Sequence, residues 1–237
     1  METRARDMKT RQQRGFSLIE LMVSLAILSI VMGVIVEGIN TTQARNAVET
    51  NKLDLTQETR EFMDQIVNDI DQAGFPGLNM FDPTTLNPAA GGNPICTQNN
   101  NLSCGLISVS TTAIQFEGDV DGTGVSEVYI RLKQPPGGCP CTIERGTIAK
   151  PNPTPPYPVP LFYTQVDNVM NTTIFTAYAS DGSQVALPAN QASGNLKNIT
   201  AIGITLYVKS TLPDPKTGQY PTVTMVSTAK INNIQSM

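Results

Sequence analysis

Residues 14–37 read R-G-F-S-L-I-E-L-M-V-S-L-A-I-L-S-I-V-M-G-V-I-V-E, and the reading of this run decides the architecture. Glu20 is the only formal charge between Arg14 and Glu37. Phe16 to Val36 is 21 residues, which as a helix rising about 1.5 Å per residue crosses about 30 Å of hydrocarbon. An ionisable group inside such a span is costly, so Glu20 is read as functional.

The flanks argue against an ordinary secretory signal. Arg4, Arg6, Lys9, Arg11 and Arg14 outweigh Glu2 and Asp7 in residues 1–15, and such a basic segment stays on the cytoplasmic side. A secretory apolar region is shorter and ends at a small-residue site of the A-x-A kind. No such site follows here. A cut between Gly15 and Phe16 would instead remove the basic segment and keep the helix. The new α-amine would then lie one helical turn from Glu20.

G-F-S-L-I-E-L, with basic residues before it and an apolar helix after it, resembles the N-terminal signature of type IV prepilins and type II secretion pseudopilins. The resemblance implies a prepilin peptidase that cuts after Gly15 and N-methylates Phe16, and it makes Glu20 the assembly carboxylate. Packed in a filament, Glu20 would meet the Phe16 ammonium of a neighbouring subunit, an attraction strengthened by low dielectric. Loss of one partner would leave the other buried and unpaired. The implied partners are the prepilin peptidase, other minor and major pilins met through the N-terminal helix, and an inner-membrane assembly platform. The implied location is the bacterial inner membrane, single-pass with a periplasmic head, and then the pilus or cell surface.

Beyond the span the helical period continues. Val48, Leu55, Phe62, Ile66 and Ile70, widened by Met63, Val67 and Ala73, form one stripe, with Lys52, Asp54, Glu58, Arg60, Glu61 and Asp64 on the other face. Gly74 and Pro76 supply a stop. The pattern predicts one helix from Phe16 to Ala73, about 87 Å long. Gly33 and Gly38 lie where it leaves the membrane, each costing about 1 kcal/mol against Ala or serving close helix packing. Many major pilins carry a helix-breaking Pro in this region, and this chain lacks it.

From residue 77 the pattern changes to alternating strands between turns. Strands are expected around Ile107/Val109, around Ile114/Phe116, over 127–133, and at 142–148, 172–179, 199–208 and 222–231. The prolines at 151, 153, 155, 156, 158 and 160 favour an extended connection. Two head motifs, D-I-D-Q-A-G-F at 69–75 and G-D-V-D-G-T-G-V-S-E at 118–127, look like patterns of PilW-type minor pilins. The first is also similar to J-type pseudopilins of type II secretion.

The second motif has a chemistry of its own. Asp119, Asp121 and Thr123 alternate ahead of Gly124 as in a calcium loop, but the twelfth position is Ile130, so Glu127 would have to substitute in another geometry. The other reading is a tight turn between strands. Cys96, Cys104, Cys139 and Cys141 read as disulfides in an oxidising compartment, with three pairings open. Cys96 with Cys104 is the simplest. Cross-links from 96/104 to 139/141 would avoid a strained bond across one residue, and a four-thiolate zinc site is the metal alternative.

Composition narrows the function. The chain has no His, which removes the usual serine triad, papain-like Cys–His pairs and most catalytic zinc sites. Of 16 basic and 20 acidic residues, five and two lie in 1–15, so the rest carries 11 against 18. Such a balance opposes nonspecific nucleic-acid binding. The chain therefore reads as a non-enzymatic α+β pilin-type protein without a cofactor, calcium excepted. It is divided into a leader 1–15, a transmembrane and assembly helix 16–39, an amphipathic helix 40–76 and a β-rich head 77–237. Its expected role is a PilW-like minor pilin, with a J-type pseudopilin, or a monomeric membrane-anchored binding protein, as alternatives.

Overall fold

The computed structural model describes residues 16–77, 102–150 and 159–232. The helical period becomes one element, α1, Leu18–Asp71, of 54 residues. It is two residues shorter at each end than the sequence predicts. At the start, the Ser17 carbonyl accepts the first bonds, from the N–H of Glu20 at 3.0 Å and of Leu21 at 3.2 Å, so Phe16 precedes the helix. At the other end Gly74 takes φ 81°, a left-handed conformation that stops the helix without a Cβ penalty. The chain divides into two compact units, Met1–Ala47 and Val48–Met237.

In the first unit α1 carries its apolar side chains outward on every side, from Val31 at 47% to Leu18 at 78% exposure. A helix apolar all round needs a lipid or protein surround. Among the described residues α1 is the helix long and apolar enough to cross a membrane. Its hydroxyls are already satisfied. Ser24 donates to the Glu20 carbonyl at 2.7 Å and Ser29 to the Leu25 carbonyl at 2.8 Å, which removes the cost of placing them in hydrocarbon.

In the second unit one face of α1 is buried: Val48, Leu55, Thr59, Phe62, Met63, Ile66, Asp69 and Ile70. The apolar members are the stripe read from the sequence. Thr59 and Asp69 were not legible as buried; Thr59 satisfies its hydroxyl on the Leu55 carbonyl at 2.6 Å.

This face packs on a ten-stranded antiparallel sheet. Its strands are β1 (Leu106–Val109), β2 (Ala113–Gly118), β3 (Ser126–Lys133), β4 (Cys141–Ala149), β5 (Tyr163–Val169), β6 (Phe175–Tyr178), β7 (Gln184–Val185), β8 (Ala189–Asn190), β9 (Ala201–Lys209) and β10 (Thr222–Lys230). They lie in the order β7-β6-β9-β5-β4-β3-β2-β1-β8, with β10 on β9. Phe62, Ile66 and Ile70 of the helix share a core with Phe116, Ile130, Ile143, Val166, Ile204 and Leu206 of the sheet. The architecture is α+β, one long N-terminal helix whose second part packs on an antiparallel sheet, and it is consistent with the type IV pilin fold.

Strand β5 went unread in the sequence. Its buried residues, Val166 and Val169, are three apart rather than two. Asn168 has φ 57° and the β4–β5 register shifts twice, so the side-chain alternation that marks a strand is broken. The two-residue strands β7 and β8 are too short to show any period.

Where α1 ends, the chain is stitched to β2. Ala73 forms a bridge with Gly118, Gly74 N–H donates to the Glu117 carbonyl at 2.9 Å, and Asp119 N–H donates to the Phe75 carbonyl at 2.9 Å. The approach is so close that a Cβ at position 118 would lie 2.5 Å from the Gln72 carbonyl oxygen. Backbone cannot retreat as a side chain can. Gly118→Ala is therefore expected to destabilise the protein by about 2 kcal/mol, read as a lower midpoint in urea unfolding of the chain in detergent micelles.

Candidate functional site

Three places carry the residues singled out in the sequence. The first is the start of α1. Gly15 lies outside the described residues. Phe16 is 83% exposed, and Glu20 sits exposed in the first turn, where the helix dipole favours a negative charge. The site is thus a single carboxylate at one end of an exposed apolar helix, and chemically it can do one thing well: accept a cation once that helix is surrounded.

The second place joins the two head motifs, which are one structural junction. D-I-D-Q-A-G-F closes the helix and G-D-V-D-G-T-G opens against it through the bonds described above. Asp69 of the first motif pairs with Arg145 of β4 at 2.8 Å, their side chains 8% and 18% exposed. Burial pushes the Asp69 carboxyl above its usual value, and the Arg145 guanidinium opposes that rise. A groove of about 470 Å³ opens beside the pair, lined by Gln65, Asn68, Asp121 and Thr147 among others.

The loop after β2 brings Asp119, Asp121 and Thr123 into one turn and leaves Glu127 apart. Asp119 Oδ1 accepts the Gly124 N–H at 3.1 Å. Asp121 Oδ1 accepts the Thr123 N–H at 3.0 Å and its hydroxyl at 2.7 Å, bonds that hold the Asp121 carboxyl below its ordinary value. Glu127 is on β3, where its carboxylate accepts from the Gln115 amide. Among the described residues no three His, Cys, Asp or Glu side chains gather in the manner of a metal site. The turn reading accounts for the loop: its carboxylates close it on its own N–H groups.

The third place is the sheet face away from the helix. Glu117 and Glu127 stand directly opposite on β2 and β3, an arrangement that like charge disfavours. Lys150 relieves it. Its Nζ donates to Glu117 Oε2 at 2.7 Å and to the Leu102 carbonyl at 2.9 Å, with the two side chains 1% and 3% exposed. Nothing in the sequence marked Lys150 or Glu117 as buried, since neither has a period or motif that singles it out. Alongside, Glu144 holds both Arg131 at 2.8 Å and Lys133 at 2.7 Å, and Arg131 lies 3.5 Å over the Phe162 ring.

The cysteines decide among the open pairings. Cys139 and Cys141 are bonded to each other, so the bond across one residue, noted above as strained, is formed at the β3–β4 hairpin. Cross-links from Cys104 to the Cys-Pro-Cys segment are thereby excluded, as is a zinc site using those thiols. Cys104 is also disulfide-bonded, and Cys96 lies outside the described residues.

Residues 10–36 match the prokaryotic N-terminal methylation motif. The match spans the last two residues of the basic flank, Arg11 and Arg14, with Gly15, Phe16, Glu20 and the apolar run, and it supports a type IV prepilin- or pseudopilin-like protein. It points to a structural rather than an enzymatic role and implies processing by a prepilin peptidase. No curated protein matches the chain.

Two predictions follow from the head. Asp69→Ala strands the Arg145 guanidinium against the core and is expected to cost about 3 kcal/mol; adding Arg145→Leu restores part of the loss in a double-mutant cycle of unfolding free energies. Glu144 is held below its ordinary 4.5, first by the Lys133 ammonium and, after the cost of desolvation, by the Arg131 guanidinium. With a folded-state value below the unfolded one, the unfolded chain takes up the proton first. This contribution is present above about pH 4.5 and lost as pH falls through the folded value. Because both cations are exposed it is worth at most about 1 kcal/mol, and Glu144→Gln should flatten the fall of the unfolding free energy between pH 6 and pH 3 by that much.

Proposed function

We propose that this chain is a prepilin whose processed form is a minor, PilW-like subunit of a type IV pilus, acting in the priming or tip complex. The observation that carries this reading is the lone Glu20 on a fully exposed apolar helix, directly after a Gly–Phe step and a basic flank. Cleavage between Gly15 and Phe16 creates the ammonium that Glu20 lacks within its own chain. Assembly then brings that ammonium to a neighbour's Glu20, and hydrocarbon on all sides makes the pair strong. A membrane-anchored binding protein that stays monomeric has no use for this arrangement. The head motifs at 69–75 and 118–127 and the length of the chain favour a minor subunit over the repeating one.

A second reading, a J-type minor pseudopilin of type II secretion, has one observation in its favour: the D-I-D-Q-A-G-F close of the helix. The structure gives that motif a task in head folding, which either system requires.

Intact-mass analysis of the protein from membranes is expected to show a chain beginning at Phe16 with one added methyl group. Gly15→Val should leave the full chain uncut, and a chain processed normally in that variant would end the proposal. Glu20→Leu should still be cut but enter filaments roughly a hundredfold less, as expected for about 3 kcal/mol of an unpaired buried ammonium. Deletion of the gene separates the two systems: loss of surface pili supports the pilus role, and loss of exoprotein release with pili intact assigns the chain to secretion.

A further inference from the structure

Strand β10 lies outermost on its side of the sheet. Its nine residues pair with β9 in unbroken register, from Thr222 opposite Lys209 to Lys230 opposite Ala201, and among the described residues with no other strand. Two flanking bonds set the phase of that ladder. Ser210 N–H donates to the Pro221 carbonyl at 2.7 Å, and Ile231 N–H to the Thr200 carbonyl at 2.9 Å. Odd-numbered residues of β10 are therefore the ones bonded to β9. In an antiparallel pair the alternate residues turn their N–H and C=O groups away. These are Thr222, Thr224, Val226, Thr228 and Lys230, whose side chains are also exposed, Val226 at 71%.

Sheet edges of this length are ordinarily blunted by proline, a bulge, a charge (lysine above all) or a covering element, and β10 carries one such residue, Lys230, at its last position. Here T-V-T-M-V-S-T-A, residues 222–229, contains neither proline nor charge, and its register has no bulge. The charge at the two ends of the ladder has one sign. Lys209 and Lys230 stand at opposite ends of the ladder and Lys216 on the turn between the strands, where the acid, Asp214, caps the N–H groups of Lys216 and Thr217. Arg131, Lys133, Arg145 and Lys150 elsewhere in the head are each held by a carboxylate.

We propose that β10 is a strand-addition edge that takes an extended segment of a partner protein with carboxylates near both ends. The segment pairs its backbone with the five outward residues, and its acids meet Lys209 and Lys230. A second copy of β10 fits poorly, because it brings lysine and no acid to those ends.

The test is amide-resolved hydrogen exchange on the full chain in detergent micelles. The probe is a synthetic nine-residue peptide of alternating Val and Thr with Glu at each end. Without peptide, Val223, Met225, Ser227 and Ala229 should be protected by β9, while Thr222, Thr224, Val226 and Thr228 exchange rapidly. Saturating peptide should slow the second set by at least about tenfold, and the same peptide with Lys at its ends should do so less. Val226→Pro removes an outward N–H without touching the β9 ladder; it should abolish the effect while the β9-bonded amides stay protected. Outward amides already slow without peptide, no slowing with it, equal slowing by the Lys-ended peptide, or slowing that survives Val226→Pro would each overturn the proposal.

Discussion

The head depends on the closure of α1 against β2. Helix and sheet are held there by backbone rather than by side chains alone: a bridge between Ala73 and Gly118, and bonds from Gly74 to Glu117 and from Asp119 to Phe75. Backbone bonds at a helix end satisfy groups that the helix cannot satisfy itself. They also fix the rotation of the last turns, so that Phe62, Ile66 and Ile70 point into the core and Asp69 reaches Arg145. The absence of a Cβ at Gly118 is the condition for all of this.

One helix serves two surroundings, and its side chains are chosen accordingly. Between Phe16 and Ile39 every large apolar residue is exposed and the Ser24 and Ser29 hydroxyls are folded back onto carbonyls, a surface fit for hydrocarbon or for other helices. From Val48 the apolar residues narrow to a stripe and the charges return to the other face. Between Phe16 and Val36 Glu20 is the one formal charge, and it is what a pilin-like assembly would use.

Buried charge in the head follows a second economy. Glu117 and Glu127 would repel across β2 and β3, yet Lys150 takes one and the Gln115 amide the other. Each buried acid has its own donor, which is the condition under which buried charge is tolerated. These pairs join residues far apart in the chain, Lys150 with Glu117 and Arg145 with Asp69, and no local pattern announces them. The same holds for β5, whose bulged register hides its alternation, and for the Cys139–Cys141 bond, formed where local geometry argued against it. The head motifs were legible as motifs, but their meeting was not. The loop for which calcium and a tight turn were both open is closed on its own N–H groups.

By itself the sequence determined the features that depend on period and composition: the membrane-length span, the position of Glu20 beside a Gly–Phe step, the buried stripe of α1, its stop at Gly74 and seven of the ten strands among the described residues. Each is a local consequence of side-chain spacing or of backbone freedom, so a linear reading suffices. Tertiary structure alone decided which strands lie side by side, which acids are buried and with which bases, and which edge of the sheet is left to pair. Those outcomes depend on contacts between distant residues, where close packing and the cost of an unpaired buried charge select one arrangement among many that the local pattern allows.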